Sequence, residues 1–111
     1  MIPVKRLSTV SAGSTQAKYN GEFYQFDGTL DNLSNGPDID FKQIANFNHP
    51  FKLCVGGIVN GGTTCVIEQL GQVISSNGNC TSITLPSAAD TLWYVCTIDG
   101  HDMYKQIYPP V

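Results

Sequence analysis

Short strand-like stretches recur at regular intervals along the chain, and turn-forming residues separate one stretch from the next. In "LWYVC", the two-residue period of a strand puts Leu92, Tyr94 and Cys96 on one face and Trp93 and Val95 on the other. Helix formers do not recur at the 3.6-residue period, so the pattern predicts strands. Clusters such as "SAGS", "SSNGN" and "PSAAD" mark the turns. The predicted strands cover residues 4–10, 21–30, 40–48, 51–59, 63–70, 80–86, 91–98 and 104–110.

Seven to eight short strands at this spacing predict an all-β fold, either a β-sandwich or a Greek-key barrel. The chain has 111 residues, and we interpret residues 1–111 as a single domain with no internal repeat or linker. A chain of this length buries roughly two thirds of its unfolded surface, so it can form a hydrophobic core without metal or disulfide support.

Charge and hydropathy exclude two classes of partner. The formal net charge is −3, and the six lysine and arginine residues are scattered, so no basic patch for a nucleic acid is expected. The sequence has no run of about eighteen apolar residues, so we expect no membrane span in this chain. We expect the protein to be a monomer.

The candidate chemistry lies at the only two histidines and one cysteine. His49 precedes a predicted middle strand, whereas Cys96 and His101 surround the turn between the last two strands. A β-sandwich can bring these two places together at one end of its sheets. Two imidazoles and one thiolate are the equatorial ligands of a type 1 copper site, so the sequence predicts that His49, Cys96 and His101 bind one copper ion.

The residues around this set resemble those of the cupredoxins, or blue copper proteins. "WYVCTIDGH" is similar to the family's aromatic-aromatic-apolar-Cys-Thr-x-x-Gly-His pattern, and "NHPF" resembles the segment with its first histidine ligand. The likeness covers residues 46–108. It implies a cupredoxin-like Greek-key sandwich that transfers electrons by cycling Cu(II) and Cu(I), meets a transient redox partner near His101, and is not an enzyme. The alternatives are a copper carrier and an extracellular cupredoxin-like binding or structural module without a redox role.

The resemblance leaves two candidates for the weak axial ligand. Gln106 lies five residues after His101, as in the stellacyanin type of phytocyanin, whereas Met103 lies only two residues after it. On this spacing we prefer Gln106 over Met103. Pro50 also stands where many cupredoxins have a backbone N–H that donates to the copper-bound sulfur, and proline has none. An axial glutamine at position 106 and the missing N–H at Pro50 both imply a low reduction potential.

Three cysteines remain if Cys96 is a metal ligand. Cys54 and Cys65 flank "VGGIVNGGTT", which predicts a hairpin that would bring them within bridging distance. A Cys65–Cys80 pair and three reduced thiols are the alternatives. A disulfide, together with the glycosylation tripeptides "NLS" and "NCT", would indicate an extracytoplasmic location: secreted, periplasmic or tethered outside the cytoplasm.

Overall fold

The structure is a computed structural model that describes residues 2–7, 18–26, 39–44, 48–60, 62–86 and 90–109. Within these ranges the chain forms eight strands and no helix, as the missing helical period and the regularly spaced turn residues predict. The strands are β1 (Ile2–Leu7), β2 (Phe23–Phe26), β3 (Ile39–Gln43), β4 (Phe51–Val55), β5 (Glu68–Ile74), β6 (Cys80–Ile83), β7 (Leu92–Cys96) and β8 (Tyr104–Tyr108). The all-β prediction is therefore confirmed.

The strands form two four-stranded sheets. The first sheet has the order β2-β1-β3-β6, and the second has the order β5-β4-β7-β8. β1 and β3 are parallel neighbours, and all other paired strands are antiparallel. The chain passes from the first sheet to the second between β3 and β4, returns for β6, and crosses again to β7. This arrangement agrees with a β-sandwich.

Alternate residues of both sheets meet in one buried cluster. Aromatic rings join the two layers: Tyr24 of β2 lies with its ring centroid 4.4 Å from that of Phe51 and 4.9 Å from that of Tyr94. The core cluster includes Leu92, Tyr94 and Cys96, so this face of β7 points inward. Cys96 is therefore the last core-facing residue at one end of its strand.

The fifth strand lies later in the chain than its sequence predicts. The predicted strand covers residues 63–70, but β5 runs from Glu68 to Ile74, and Val66 and Ile67 are exposed before it. A disulfide between Cys54 and Cys65 and a bridge between Ile58 and Cys65 hold this segment in the loop after β4. The two apolar residues that suggested a strand are therefore loop residues.

Gly71 lets β5 bulge as it runs along β4. The pairing with β4 slips between Phe51 and Leu53, and Gly71 at this irregularity has a φ of +71°. A Cβ at this position would overlap the side chain of Thr81 in β6. Any larger residue would combine left-handed backbone strain with a collision between the sheets.

The described part of the chain contains no helix with the length and hydropathy needed to cross a bilayer.

Candidate metal centre

The ends of two neighbouring strands bring His49 and Cys96 together. β4 and β7 pair antiparallel with Phe51 opposite Cys96, so the residues before β4 lie beside the residues after β7. The backbone N–H of Thr97 donates to the carbonyl of Pro50 at 2.7 Å, and the Thr97 hydroxyl donates to the same oxygen at 3.0 Å. His49 is thus held close to a cysteine 47 residues downstream.

A tight loop between β7 and β8 returns His101 to the same place. The backbone N–H of Cys96 donates to the carbonyl of Met103 at 2.8 Å, which closes the loop at its base. Gly100 and Asp102, on either side of His101, have φ values of +84° and +49°. Glycine and aspartate are among the residues that tolerate this left-handed conformation. Lys18 pairs with the Asp102 carboxylate at 3.0 Å and ties the loop to the segment before β2.

Three potential donor atoms converge at this end of the sandwich. The Nδ1 atoms of His49 and His101 are 3.0 Å apart, and the Cys96 Sγ lies 3.8 Å from the first and 3.6 Å from the second. A point inside this triangle lies about 2 Å from all three atoms, close to the length of metal–nitrogen and metal–sulfur bonds. His49, Cys96 and His101 therefore form a group that could hold a metal ion.

The two axial candidates lie on opposite faces of the second sheet. Met103 is fully buried in the same cluster as Cys96, whose backbone it contacts. Gln106 faces Trp93 across β7 and β8, on the outer side of the sheet, and its amide donates to the carbonyl of Pro109 at 3.0 Å. Met103 therefore lies on the core side of the second sheet and Gln106 on its outer side. The reason is that Gln106 lies within a regular strand, where alternation turns it outward.

A segment before and within β2 surrounds the histidines. Glu22 Oε2 lies 2.5 Å from His49 Nε2, and the Tyr24 hydroxyl donates to the His49 carbonyl. Tyr19 stacks on the His101 ring with a centroid distance of 3.7 Å and an interplanar angle of 12°. The sequence reasoning missed these three residues. A buried imidazole N–H needs an acceptor, but the chain has nine acidic residues and no motif singles out Glu22.

Burial controls the protonation of two of the donors. It raises the pKa of the Cys96 thiol, while the Ile98 backbone and the Tyr24 side chain act in the opposite direction. Burial also lowers the pKa of His101, and the neighbouring His49 lowers it further. The metal-free site thus favours a neutral imidazole at His101 and a protonated thiol, which must lose its proton when a metal binds.

The other cysteines lie away from the donor triangle. Cys54 and Cys65 form a disulfide with a Cα–Cα distance of 5.1 Å, which is the first of the pairings left open by the sequence. Cys54 lies opposite Trp93 on the outer side of the second sheet. Cys80 is free and exposed, whereas Cys96 is free and buried. Among the four cysteines, Cys96 is thus the thiol available to a buried metal.

Comparison of the chain with protein-family models, with curated proteins and with solved structures gave no match in any of the three.

Proposed function

We propose that this protein is an electron carrier of the cupredoxin type, with one type 1 copper ion that alternates between Cu(II) and Cu(I). The observation that carries this proposal is the triangle of two imidazole nitrogens and one sulfur, within 3.0–3.8 Å of one another. Two histidines and a cysteine in a trigonal arrangement, with a long and weak axial thioether, are the donor set of blue copper sites.

The donors fit copper by their chemistry as well as by their spacing. His49 Nδ1, Cys96 Sγ and His101 Nδ1 would hold the ion, with Met103 as the weak fourth donor. When bound, copper supplies a one-electron couple that both imidazole and thiolate ligands tolerate. His49 is 0% exposed and Cys96 is 1% exposed, so water is kept from two of the three donors.

The surroundings of the donors favour small rearrangement during electron transfer. Cys96 ends a central strand, and His49 is fixed through Pro50 and Thr97 to that same strand. Packed strand ends resist movement because the interior around them is dense. A site that cannot expand or contract when it gains an electron exchanges electrons with a low barrier.

His101 is the donor through which we expect the electron to enter and leave. It is only partly buried, and two neighbours with apolar surface are exposed: Tyr19, and Ile98, whose carbonyl accepts from the His101 N–H. Tyr19 contacts the His101 ring directly. A redox partner would dock here through a small and transient interface.

The strand order supports the cupredoxin-like Greek-key topology. The chain crosses between the sheets in three connections: from β3 to β4, from β5 to β6 and from β6 to β7. The β4–β5 and β7–β8 pairs are hairpins within the second sheet. The Cys54–Cys65 disulfide supports an oxidising, extracytoplasmic location.

The alternatives differ in how they treat the metal. A copper carrier must surrender its ion to another protein, and donors as buried as His49 and Cys96 would slow such transfer. A binding or structural module would have no reason to direct three soft and borderline donors at one point. The burial and convergence of the donors therefore favour electron transfer.

The test is to add Cu(II) to the purified protein and record its visible and EPR spectra, followed by voltammetry. We expect an intense thiolate-to-copper absorption band and a reversible one-electron wave. Cys96→Ser should lose the band, whereas Cys80→Ser, the matched variant at the exposed free thiol, should keep it. A colourless wild-type protein would contradict the proposal, and rapid loss of copper to a mild chelator would favour the carrier.

A further inference from the structure

We infer that Glu22, held by Arg6, is a positioning residue that selects the tautomer of His49 and strengthens it as a metal donor. This inference rests on the proposed copper site. Glu22 Oε2 lies 2.5 Å from His49 Nε2, and Glu22 Oε1 lies 3.4 Å from Arg6 Nε. The side chains of His49, Glu22 and Arg6 are 1%, 15% and 26% exposed, so the series runs from the buried site toward the surface.

The first step is the choice of tautomer. A neutral imidazole carries its proton on one nitrogen and offers a lone pair on the other. Nδ1 of His49 faces Cys96 and His101, so the proton must lie on Nε2 if His49 is to bind a metal there. A carboxylate only accepts hydrogen bonds. Glu22 therefore stabilises the tautomer that has its proton on Nε2 and leaves Nδ1 free.

The second step is the role of Arg6. The carboxylate of Glu22 uses one oxygen for each neighbour, with the guanidinium on Oε1 and the imidazole on Oε2. The positive charge compensates that of the partly buried carboxylate. Because the two oxygens have different partners, the plane of the carboxylate is fixed, and with it the direction of the hydrogen bond to His49.

The third step is the effect on the metal. A carboxylate that accepts the far N–H of a histidine ligand raises the basicity of that ligand. A more basic imidazole stabilises Cu(II) more than Cu(I), because Cu(II) has the higher charge. Glu22 should therefore lower the reduction potential. The Tyr24 hydroxyl holds the His49 carbonyl, so ring and backbone are fixed by separate contacts and the ring contact can be removed alone.

The experiment compares wild type, Glu22→Ala and Glu22→Gln, with Glu68→Ala at an exposed position of β5 as the matched control. Nitrogen-15 NMR of the metal-free protein, above the usual titration range of histidine, reports which nitrogen of His49 carries the proton. We expect the Nε2–H form alone in wild type and a mixture in Glu22→Ala. Copper titrations should show about a tenfold loss of Cu(II) affinity in Glu22→Ala, which raises the potential by about 59 mV if Cu(I) affinity is unchanged.

Glu22→Gln serves if the alanine variant does not fold, because glutamine keeps the shape and one acceptor oxygen. It should retain the Nε2–H form but show a raised potential, since the negative charge is lost. A wild-type tautomer, affinity and potential in both variants would overturn the inference while leaving the copper site intact. If wild-type protein develops no charge-transfer band, the proposed function fails instead, and the metal-free NMR still decides whether Glu22 sets the tautomer.

Discussion

Removing the disulfide should destabilise the fold and leave the metal site unchanged. The perturbation is the double substitution Cys54→Ala and Cys65→Ala, which opens a loop whose ends are 11 residues apart. A disulfide stabilises a protein mainly by restricting the unfolded chain, and its effect grows with the logarithm of loop length. The entropic part of the loss can therefore be worked out from the separation.

For a separation of 11 residues, the chain-entropy relation gives about 2.8 kcal/mol at room temperature. The unfolding entropy of a chain of 111 residues is about 0.23 kcal/mol per kelvin near the transition, so this loss corresponds to a fall in Tm of about 12 °C. Replacement of the buried Cys54 by alanine removes one sulfur atom from a covered position and should add to the loss.

The assay is urea and thermal unfolding of the metal-free wild type, the double variant and Cys80→Ala, which removes a thiol that forms no disulfide. We expect a lower midpoint in the double variant only. Its copper spectrum should match that of wild type, because Cys54 lies on the outer face of the second sheet and Cys96 on the inner face. Equal unfolding midpoints in all three proteins would refute the entropic reasoning, and a changed spectrum would refute the separation of the two faces.

Two further predictions concern buried groups. Met103→Leu should change the EPR spectrum of the copper protein, at a cost below about 1.5 kcal/mol in unfolding free energy. Gln106→Leu should leave that spectrum unchanged, because Gln106 lies on the outer face of the sheet. The opposite result would identify Gln106 as the axial donor. Burial raises the pKa of Tyr94, so the unfolded chain ionises this residue first and stability should fall above a pH of about 10. Tyr94→Phe should reduce the fall of unfolding free energy with pH by about 1.4 kcal/mol per pH unit. The measurement is urea unfolding at several pH values, with Tyr19→Phe at an exposed position as the matched control. Identical pH slopes in Tyr94→Phe and wild type would contradict this reasoning.

Short apolar stretches without a helical period, separated by turn residues, predicted the fold class. Strand geometry separated the two faces of β7 but did not decide which of them points inward. The apolar signal was wrong at Val66 and Ile67, where a covalent bond at Cys65 holds apolar residues in an exposed loop. Apolar composition alone does not distinguish a strand from a loop that is tied down by a disulfide.

The donor triangle was accessible from sequence because its chemistry restricts residue types. Few residues bind soft metals, and this chain has only two histidines, so their position beside Cys96 was informative. The two candidates for an axial ligand are harder to rank from sequence. Spacing from His101 favours Gln106, but whether a side chain lies on the core side depends on where β8 begins, and that boundary is set by the pairing of β8 with β7.

The contacts that orient the donors come from the part of the chain in which the sequence shows no motif. These contacts come from residues in or just before β2 of the first sheet: Tyr19, Glu22 and Tyr24. The donors lie instead at the ends of second-sheet strands or in the loop after β7: His49, Cys96 and His101. Many residues can accept a hydrogen bond or cover a ring, so such contacts are weakly constrained in type and leave no pattern. They still contact the donor residues directly, at Nε2 of His49 and at the ring of His101. If the proposed copper site forms, we therefore expect substitutions in or just before β2 to change its reduction potential while the ligand residues stay the same.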